Sequence, residues 1–536
     1  MSLHLYWGET HHNTYQQEDQ EPGMPDILQT ASGHLDFYAA AYYMASQHFQ
    51  PFREDLSWDA AGRTKGHPME QLAAAAGPGQ GLRYEAEKPL EQLQKEWAEV
   101  EAATREAYRP GAFVTFPGFE WQGDTCWGDH NVFYREEGNP ILNVPTLPEL
   151  YAALRGRDGL AIPHHTAYRP GVRAPRWKYF DENLSPFVEI YSIHGCSEYD
   201  GHPENLRSNS HMGPGVGGST YADLLERGAH AGIIGGTDNW TDSPGRWGHG
   251  LMGCWAEDLT REGLWDAFRK RCVYGVTGDR IELMLTGNGE PMGSCQPAAE
   301  ERHIAIRGRA CDTVDRIEIL KNNRVVHIEN PQSGTVRADG RGTYLFRIEM
   351  GWGPMAGEFP LPPKEWEGML RILNGNLRSW KPCWINTDQK PPVVEGDTAR
   401  FRLVSHQADT PEDYQGGFIF ELEGESGTEL ELTLNGRTER FRLEKLAERS
   451  RVHAYEDEIE AILLSVTGRE KPYWARINTP HIYAYKHRLH RLIPEAEYAF
   501  EVDWTDTAPL ERETHYRARI FQRNGQMAWS SPIWFQ

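Results

Sequence analysis

Apolar residues in the first 280 positions form short runs that alternate with amphipathic segments. Runs rich in β-branched and aromatic residues predict strands at 3–7, 112–116, 130–134, 159–163, 187–191 and 231–235. Helical spacing predicts helices at 35–46, 89–108, 147–154, 221–228 and 261–271, with irregular chain at 15–33 and 50–88. Strands that alternate with helices are typical of a barrel-like α/β domain, in which functional groups follow the carboxyl ends of the strands.

The pattern changes after about residue 280, where strand-like stretches follow one another with Gly, Asn and Asp turns. These stretches are 281–286, 303–307, 316–320, 343–348, 368–373, 401–404, 417–422, 429–434, 440–443, 498–504 and 514–522. One helix interrupts them near 455–464, and the Pro-rich segment 388–397 indicates a boundary. We therefore predict an α/β domain at 1–285, a β-sandwich module at 286–395, and a second β-rich module at 396–536 that packs on the first.

The chain has 536 residues and a formal net charge of −23, which disfavours non-specific binding to nucleic acid or anionic lipid. The seven cysteines are odd in number and lack a C-x-x-C pair, so reduced thiols in a cytoplasmic protein are expected. No signal peptide and no apolar run of ~20 residues is visible, so we expect neither secretion nor a membrane span. The sequence leaves both a monomer and a homo-oligomer open.

Acidic, imidazole and amide side chains follow the predicted strands. The first strand stops at Gly8 and opens into Glu9-Thr10-His11-His12-Asn13, where alternation places His11 and Asn13 on one side if the chain stays extended. Similar groups at later strand ends are Glu120, His130, His164, His165, His194, Asp238 and Asn239. A lone histidine of this kind is usually a hydrogen-bonded structural residue, but imidazole and carboxylate together suit borderline divalent metals. Their joint occurrence predicts a metal site.

The segment GETHHNT at 8–14 resembles the opening G-D-L-H-x-H-T motif of the polymerase and histidinol phosphatase (PHP) superfamily. Further stretches carry the resemblance in the same order: FVTFPGFEW at 113–121, HNVF at 130–133, IPHH at 162–165, GTDN at 236–239 and RCVYGVTG at 271–278. The N-terminal half is similar to a branch of that superfamily that joins a metal-hydrolase barrel to a C-terminal β region. The resemblance says little about residues 290–536.

This resemblance implies a distorted (β/α)7 barrel, similar to a TIM barrel, with two or three divalent ions, usually zinc, manganese or iron. It implies that His11 and Asn13 stand where the paired histidines of the first motif would be. Glu120 matches the bridging glutamate, and Asp238 matches the aspartate that holds the first metal. The two histidines of the second metal correspond to His130 and His164. We expect two ions at these six positions.

Three positions depart from the family pattern. Asn13 replaces a histidine, and its amide oxygen is a weaker, neutral ligand. The last motif expects Asp-x-His, but Trp240 stands at its third position, and because an indole cannot ligate a metal we expect the third ion to be absent. Glu9 replaces an aspartate and could ligate a metal or orient His11. For the motif after the second strand, Gln47-His48 is a poor match.

The leading hypothesis is a metal-dependent hydrolase of a small molecule, with a phosphoester as the default substrate by family analogy. His165 and His194 are predicted to move a proton to the leaving group, and Arg246, with Arg173, to bind an anionic group. The 18 tryptophans and the β modules leave a carbohydrate-active lyase or glycan hydrolase open, although tryptophans in β cores are the commoner explanation. A degenerate barrel that only binds a ligand is a third hypothesis.

Overall fold

The computed structural model describes most of the chain. The described residues are 2–14, 23–44, 88–124, 126–171, 173–202, 215–239, 243–331, 341–351, 362–386, 388–406, 415–468, 485–510 and 512–536. Trp240 and Gln47-His48 lie outside these ranges, as does nearly all of the segment 50–88. The expectations attached to them, including the absence of a third ion, therefore stay predictions.

Eight α-helices are described. They are α1 (Met24–Ser32), α2 (Leu90–Ala107), α3 (Leu147–Leu154), α4 (Tyr221–Glu226), α5 (Arg261–Arg269), α6 (Leu443–Glu448), α7 (Glu456–Thr467) and α8 (Glu495–Tyr498). Helix α3 begins with a capping box in which Glu149 N–H donates to the Thr146 hydroxyl, and α4 begins in the same way. Five of the six predicted helices are confirmed.

The strands of the N-terminal part are short. They are β1 (His4–Glu9), β2 (Asn13–Thr14), β3 (Phe37–Ala39), β4 (Ala41–Tyr43), β5 (Val114–Phe116), β6 (Gly118–Trp121), β7 (His130–Tyr134), β8 (Gly159–Pro163), β9 (Phe187–Ser192), β10 (Gly195–Cys196), β11 (Gly232–Gly235), β12 (Leu251–Ala256) and β13 (Val273–Val276). The mixture of α and β elements agrees with the predicted α/β class.

The C-terminal part consists mainly of strands. They are β14 (Glu282–Gly287), β15 (Glu290–Pro291), β16 (Cys295–Gln296), β17 (Arg302–Arg309), β18 (Val314–Lys321), β19 (Arg324–Glu329), β20 (Gly342–Gly351), β21 (Lys364–Cys383), β22 (Val393–Glu395), β23 (Thr398–Ser405), β24 (Gln415–Leu434), β25 (Arg437–Arg442), β26 (Arg451–Ala454), β27 (Lys486–Leu489), β28 (Ile493–Pro494), β29 (Ala499–Asp506), β30 (Thr514–Gln522), β31 (Met527–Ser530) and β32 (Ile533–Phe535).

The helix predicted at 35–46 is wrong. Residues 37–39 and 41–43 form β3 and β4, which pair in parallel with β1 and β2 on one side and with β5 and β6 on the other. All six residues are buried, so this segment is a central strand covered on both faces, and tertiary pairing overrides the helical preference of its alanines. The loop predicted at 15–33 is also wrong in part, because α1 begins there with a proline in its first turn.

Three runs of two consecutive strands each pair side by side in the N-terminal part. The run β1–β2 pairs in parallel with β3–β4, which pairs in parallel with β5–β6, and β7 and β8 continue antiparallel from β6. Strands β9 and β11 form a separate parallel pair. Two backbone hydrogen bonds join the ends of the first and eleventh strands. Asp238 N–H donates to the His11 carbonyl oxygen at 2.6 Å, and Asn13 N–H donates to the Asn239 carbonyl oxygen at 2.8 Å.

The C-terminal strands complete the first sheet. Strand β13 pairs antiparallel with β12 and with β31, so the sheet that begins with β1 continues into β30 and β32. A separate nine-stranded sheet between residues 342 and 494 surrounds its own apolar core. The predicted division between residues 395 and 396 stays a prediction, and β21 and β23 pair across it.

Three expectations from composition concern these elements. No disulfide bond joins cysteines of the described residues. Every tryptophan within the described ranges is buried or half-buried, which supports the structural explanation of the Trp-rich composition. In the described part of the chain, no helix has both the length and the apolar character needed to cross a membrane.

Candidate metal centre

The end of β1 turns its side chains in alternate directions. His11 Nε2 lies 3.2 Å from Asp238 Oδ1, and the Asn13 amide donates to the same oxygen at 3.4 Å. His12 points away, with its Nδ1 3.0 Å from the Tyr38 hydroxyl. The predicted alternation of His11 and Asn13 against His12 is therefore present, and it brings the first motif to the residue that follows β11.

Glu120 stands between two histidines. Its Oε2 lies 3.8 Å from His11 Nε2, and its Oε1 lies 3.7 Å from His164 Nε2. The two imidazole rings are 4.1 Å apart between centroids, and all three side chains are buried. Glu120 lies in β6, His11 follows β1 and His164 follows β8, so each of the three side chains comes from a different strand.

Glu189 holds the other side of the His11 ring. Its Oε2 lies 3.0 Å from His11 Nδ1, which leaves Nε2 directed at Asp238 and Glu120. A carboxylate on one imidazole nitrogen fixes the tautomer that can bind a metal through the other nitrogen. Gly236 allows this contact, because a Cβ at that position would lie 2.2 Å from Glu189 Oε2. The sequence analysis identified the β9 strand but missed this acid.

A fourth carboxylate, Asp129, lies beside His165. Its Oδ2 is 3.4 Å from His165 Nε2 and 2.7 Å from Arg173 Nη2. Arg173 also donates to Gln122 Oε1 at 3.0 Å, and Gln122 donates to Glu120 Oε1 at 2.8 Å. Asp129 is not evident from the sequence, because His130, the next residue, matches the family motif.

Polar atoms without hydrogen-bond partners converge at this centre. Among the described residues, no hydrogen bond is made by His11 Nε2, Asn13 Oδ1, Glu120 Oε2, His164 Nε2, Asp238 Oδ2 or either carboxylate oxygen of Asp129. Leaving one buried polar atom unsatisfied costs about 1–3 kcal/mol, and more for a charged group. Three combinations of these residues have ligand atoms within 4.8 Å of one another: His11, Glu120 and His164; His11, Glu189 and Asp238; Asp129, His164 and His165. The donor set fits divalent metal ions.

The histidines and carboxylates of this centre shift one another's pKa values. Burial alone lowers the pKa of His11, but the charges of Asp238 and Glu189 raise this pKa well above its usual value. Burial raises the pKa of Glu120, but its interactions with the nearby His11 and His164 lower it to about 2. Burial and the charge of His11 lower the pKa of His164 to about 4. Glu120 is therefore ionised, and His164 is a neutral imidazole able to act as a ligand.

Two other carboxyl groups have raised pKa values in this crowded environment. Burial raises the pKa of Asp129 to about 8. The positive charge of Arg173 opposes this shift, and the negative charge of Glu120 adds to it. Burial raises the pKa of Glu189 to about 7, even though His11 opposes it. Carboxylates gathered without enough positive charge have raised pKa values, and a divalent cation would supply the missing charge.

Strained backbone marks the same place. His165, Arg173 and Asp238 have φ angles of 32°, 66° and 46°. Most other non-glycine residues with positive φ are asparagines, which adopt this conformation readily. Strain of this kind persists where surrounding structure fixes a side chain in a required direction, as at functional sites.

The structure locates the remaining predicted residues as follows. His194 Nε2 lies 3.2 Å from Asp238 Oδ2, and its side chain is 15% exposed, the most open of the row His11–His164–His165–His194. Glu9 accepts hydrogen bonds from the backbone N–H groups of His11 at 2.7 Å, Thr237 and Gly245, so it orients the loops around His11. Arg246 is buried in the loop 243–250, and its role in binding an anion stays a prediction.

His130 keeps its ligand role only as a prediction. Its Nδ1 lies 2.9 Å from the Gly128 carbonyl oxygen, and its ring packs edge-on against Trp121 and Tyr151. It belongs to none of the ligand groups found among the described residues. The preceding residue, Asp129, is the one directed at His165.

The chain is similar to several known proteins. Residues 223–299 match a family described as a protein of unknown function, DUF3604. An uncharacterized protein of Chlamydia pneumoniae is 25% identical over 264 residues, 45% of this chain and 42% of its own length. One of Chlamydia trachomatis serovar D is 26% identical over 206 residues, 34% of this chain and 32% of its own length. The chain thus spans less than half the length of these curated relatives.

A solved structure is also similar. It is a two-domain protein of Bacteroides vulgatus, described as containing a predicted PHP-like metal-dependent phosphoesterase. The sequences are 9% identical, the TM-score is 0.31, and the match covers 59% of this chain and 79% of that chain.

Proposed function

We propose that this protein is a metal-dependent hydrolase with a dinuclear site built on Glu120. The observation that carries the proposal is the convergence of buried, unpartnered imidazole and carboxylate atoms from four strand ends. Imidazole nitrogen with carboxylate oxygen suits zinc, manganese or iron(II). Such ions supply Lewis acidity and a water of lowered pKa when bound.

The residues around the centre have separable roles in this proposal. Glu120 is in position to bridge, because its two oxygens face different histidines. Asp238 and Asn13 complete the His11 side, and Glu189 fixes the His11 ring. These contacts support ligand roles for the residues on both sides of Glu120.

Proton transfer is assigned to His194, the most exposed imidazole of the row, which lies 3.2 Å from Asp238 and can reach both the centre and solvent. His165 is buried against Asp129 and is the second candidate.

A phosphoester is the substrate class that we propose. Arg173 holds a guanidinium, 21% exposed, beside Asp129 at this centre, where it can bind an anionic group in a chain of net charge −23. A carbohydrate substrate receives no matching support, because no exposed tryptophan platform occurs among the described residues.

We also propose that the strand runs from β1 to β13 form the distorted barrel of the PHP superfamily. The backbone hydrogen bonds between His11 and Asp238 and between Asn13 and Asn239 support closure between the first and eleventh strands. Within the described residues, no ladder joins β8 to β9. The proposed barrel is therefore open at that seam.

Metal content and phosphoesterase activity together test the proposal. Elemental analysis of the purified full chain should find about two equivalents of zinc, manganese or iron. The same preparation should hydrolyse a p-nitrophenyl phosphomonoester or phosphodiester. Glu120→Ala should lose both properties, because it removes the group that faces both histidines.

Glu91→Ala is the matched control, since Glu91 is an exposed acid on α2. It should retain metal and activity. Absence of metal from the wild type after reconstitution would refute the metal-centre proposal. Metal without hydrolysis of either ester would refute the phosphoesterase assignment alone.

A further inference from the structure

A second polar cavity lies away from the metal centre, where three parts of the fold meet. Its volume is about 400 Å³. Strand β20 contributes Arg347, the end of β27 and the following residues contribute Arg488 and Arg491, and the turn between β30 and β31 contributes Arg523. Trp247, from the loop 243–250, forms part of its wall. Four arginines around one cavity are unexpected in a chain of net charge −23.

Two of these arginines are already compensated. Arg347 donates to Asp279 Oδ2 at 2.5 Å, and Arg491 donates to Glu497 and, at 2.8 Å, to the Thr313 hydroxyl. Two acids, Asp312 and Glu349, also line the cavity. Glu349 Oε2 lies 2.7 Å from His490 Nε2, and although burial raises it, hydrogen bonding to His490 and the charges of Arg347 and Arg488 lower the pKa of Glu349.

The other two arginines are less closely compensated, and Glu349, the register neighbour of Arg488, interacts with Arg488 through its charge without a close ion pair. Arg488 and Arg523 are exposed at the cavity, and neither forms an ion pair within the described part of the chain. In addition, the Nε of Arg347, which is only 3% exposed, has no hydrogen-bond partner among the described residues. The cavity therefore offers guanidinium donors from three separate elements, and a planar guanidinium matches the oxygens of phosphate or carboxylate.

The cavity is connected to the loop beside the metal centre. Asp279, which accepts from Arg347, also accepts from Trp247 Nε1 at 2.9 Å and from the side chains of Gln522 and Asn524, each at 2.8 Å. Trp247 lies two residues after Gly245, whose N–H donates to Glu9. A ligand that orders this cavity would therefore also order the loop that contacts the first motif.

We infer that this cavity binds a small anionic ligand through a phosphate group held by the exposed Arg488 and Arg523 and by the buried Arg347. This site is distinct from the metal centre, and the inference does not depend on the proposed hydrolase activity.

Binding of inorganic phosphate to the metal-stripped full chain tests the inference, because removing metal eliminates metal-mediated binding at the metal centre. Calorimetric titration should show saturable binding that sodium chloride of equal ionic strength does not reproduce. The double variant Arg488→Ala/Arg523→Ala should weaken it by about tenfold or more, since it removes charge-assisted hydrogen bonds.

The matched control is Arg400→Ala/Arg402→Ala, two exposed arginines of β23 that pair with Glu395 and Glu365. It has the same change of net charge and should bind phosphate as the wild type does. Circular dichroism should show both variants folded, because all four side chains are exposed. No saturable binding to the stripped wild type, or equal weakening by both double variants, would overturn the inference.

Discussion

Two buried clusters of this protein contain the residue types of a metal site, but their carboxylates have different partners. Glu120 of the metal centre contacts His11, His164 and Gln122, and no lysine or arginine pairs with it among the described residues. The second cluster combines Cys196, Glu198 and His202, whose ligand atoms also lie within 4.8 Å of one another.

Arginines pair with Glu198, the carboxylate of the second cluster. Glu198 accepts hydrogen bonds from Arg517, from Arg519 Nε at 2.8 Å and from Trp529 Nε1 at 2.8 Å. In spite of burial, these arginines lower the pKa of Glu198 to about 2, the same value to which histidines lower the pKa of Glu120. An arginine keeps its proton, whereas an imidazole can lose its proton and bind a metal. The proximity of ligand atoms therefore does not define a metal site until the compensating cation is identified.

Removing a histidine from each cluster tests this distinction most strongly. We expect His11→Ala to lose bound metal and to reduce hydrolysis by about a thousandfold, because Nε2 of His11 faces both Glu120 and Asp238. His202→Ala should keep its metal. Elemental analysis and ester hydrolysis measure both, and metal loss in His202→Ala would show that the second cluster is a site.

Neutralising each carboxylate should change stability by very different amounts. Glu198→Gln leaves Arg517 and Arg519 buried without their acid, and we expect a loss of about 3–5 kcal/mol in the free energy of unfolding. Glu120→Gln in metal-free protein removes one of several crowded carboxylates and should change stability by less than about 1 kcal/mol. Urea denaturation measures both values, and equal losses would contradict the comparison.

The carboxylate behind His11 should tune the metal centre without holding the ion itself. Glu189→Ala should weaken metal affinity by about 10–100-fold, because nothing then orients the His11 ring. Glu189→Gln keeps an oxygen that can accept from Nδ1–H and should recover part of the loss. Competition with a fluorescent chelator measures the affinities, and identical values for wild type and Glu189→Ala would exclude the orienting role.

The second cluster should also make stability depend on acidity. The folded-state pKa of Glu198 is depressed from 4.5 to about 2, so its contribution is complete above pH 4.5 and is lost as the pH falls towards 2. Burial lowers the pKa of His202 to about 4, so unfolding takes up a proton between pH 6.5 and 4. Arg517, Arg519, Glu318, Tyr199 and Cys196 are the other charged or titratable groups around them.

The unfolding free energy of the wild type should therefore fall steadily from pH 6.5 to pH 3. Glu198→Gln should lack the part of this slope that lies below pH 4.5, so the difference between the two proteins should shrink with acidity. A constant difference from pH 7 to pH 3 would contradict the assignment of this slope to Glu198.

The sequence predicts where the strands of the site end, but it does not identify every residue of the site. The first strand run and the alternation of His11 against His12 follow from local pattern, and the structure has them as expected. Glu189 could not be found in this way. It lies in the middle of an apolar strand, and its partner His11 is 178 residues away. Only the pairing of β9 with β11 brings that acid to the centre.

The error at residues 35–46 has a similar cause. Tyrosines and alanines in this segment fit a helix when considered alone. The segment forms a strand because it pairs with β1 on one side and β5 on the other and because both of its faces are buried. Long-range pairing of this kind is not encoded in the local period of the sequence.

The pairing of β13 with β31 affects how the chain is made. Thr277 and Met527, which face each other across this junction, are 250 residues apart. At about 5–20 residues per second, a ribosome needs roughly 10–50 s to synthesise the intervening chain. Throughout that time the nascent β13 edge has no partner, and its open backbone groups can pair with another chain. A molecular chaperone that shields this edge during translation would therefore raise the yield of native protein.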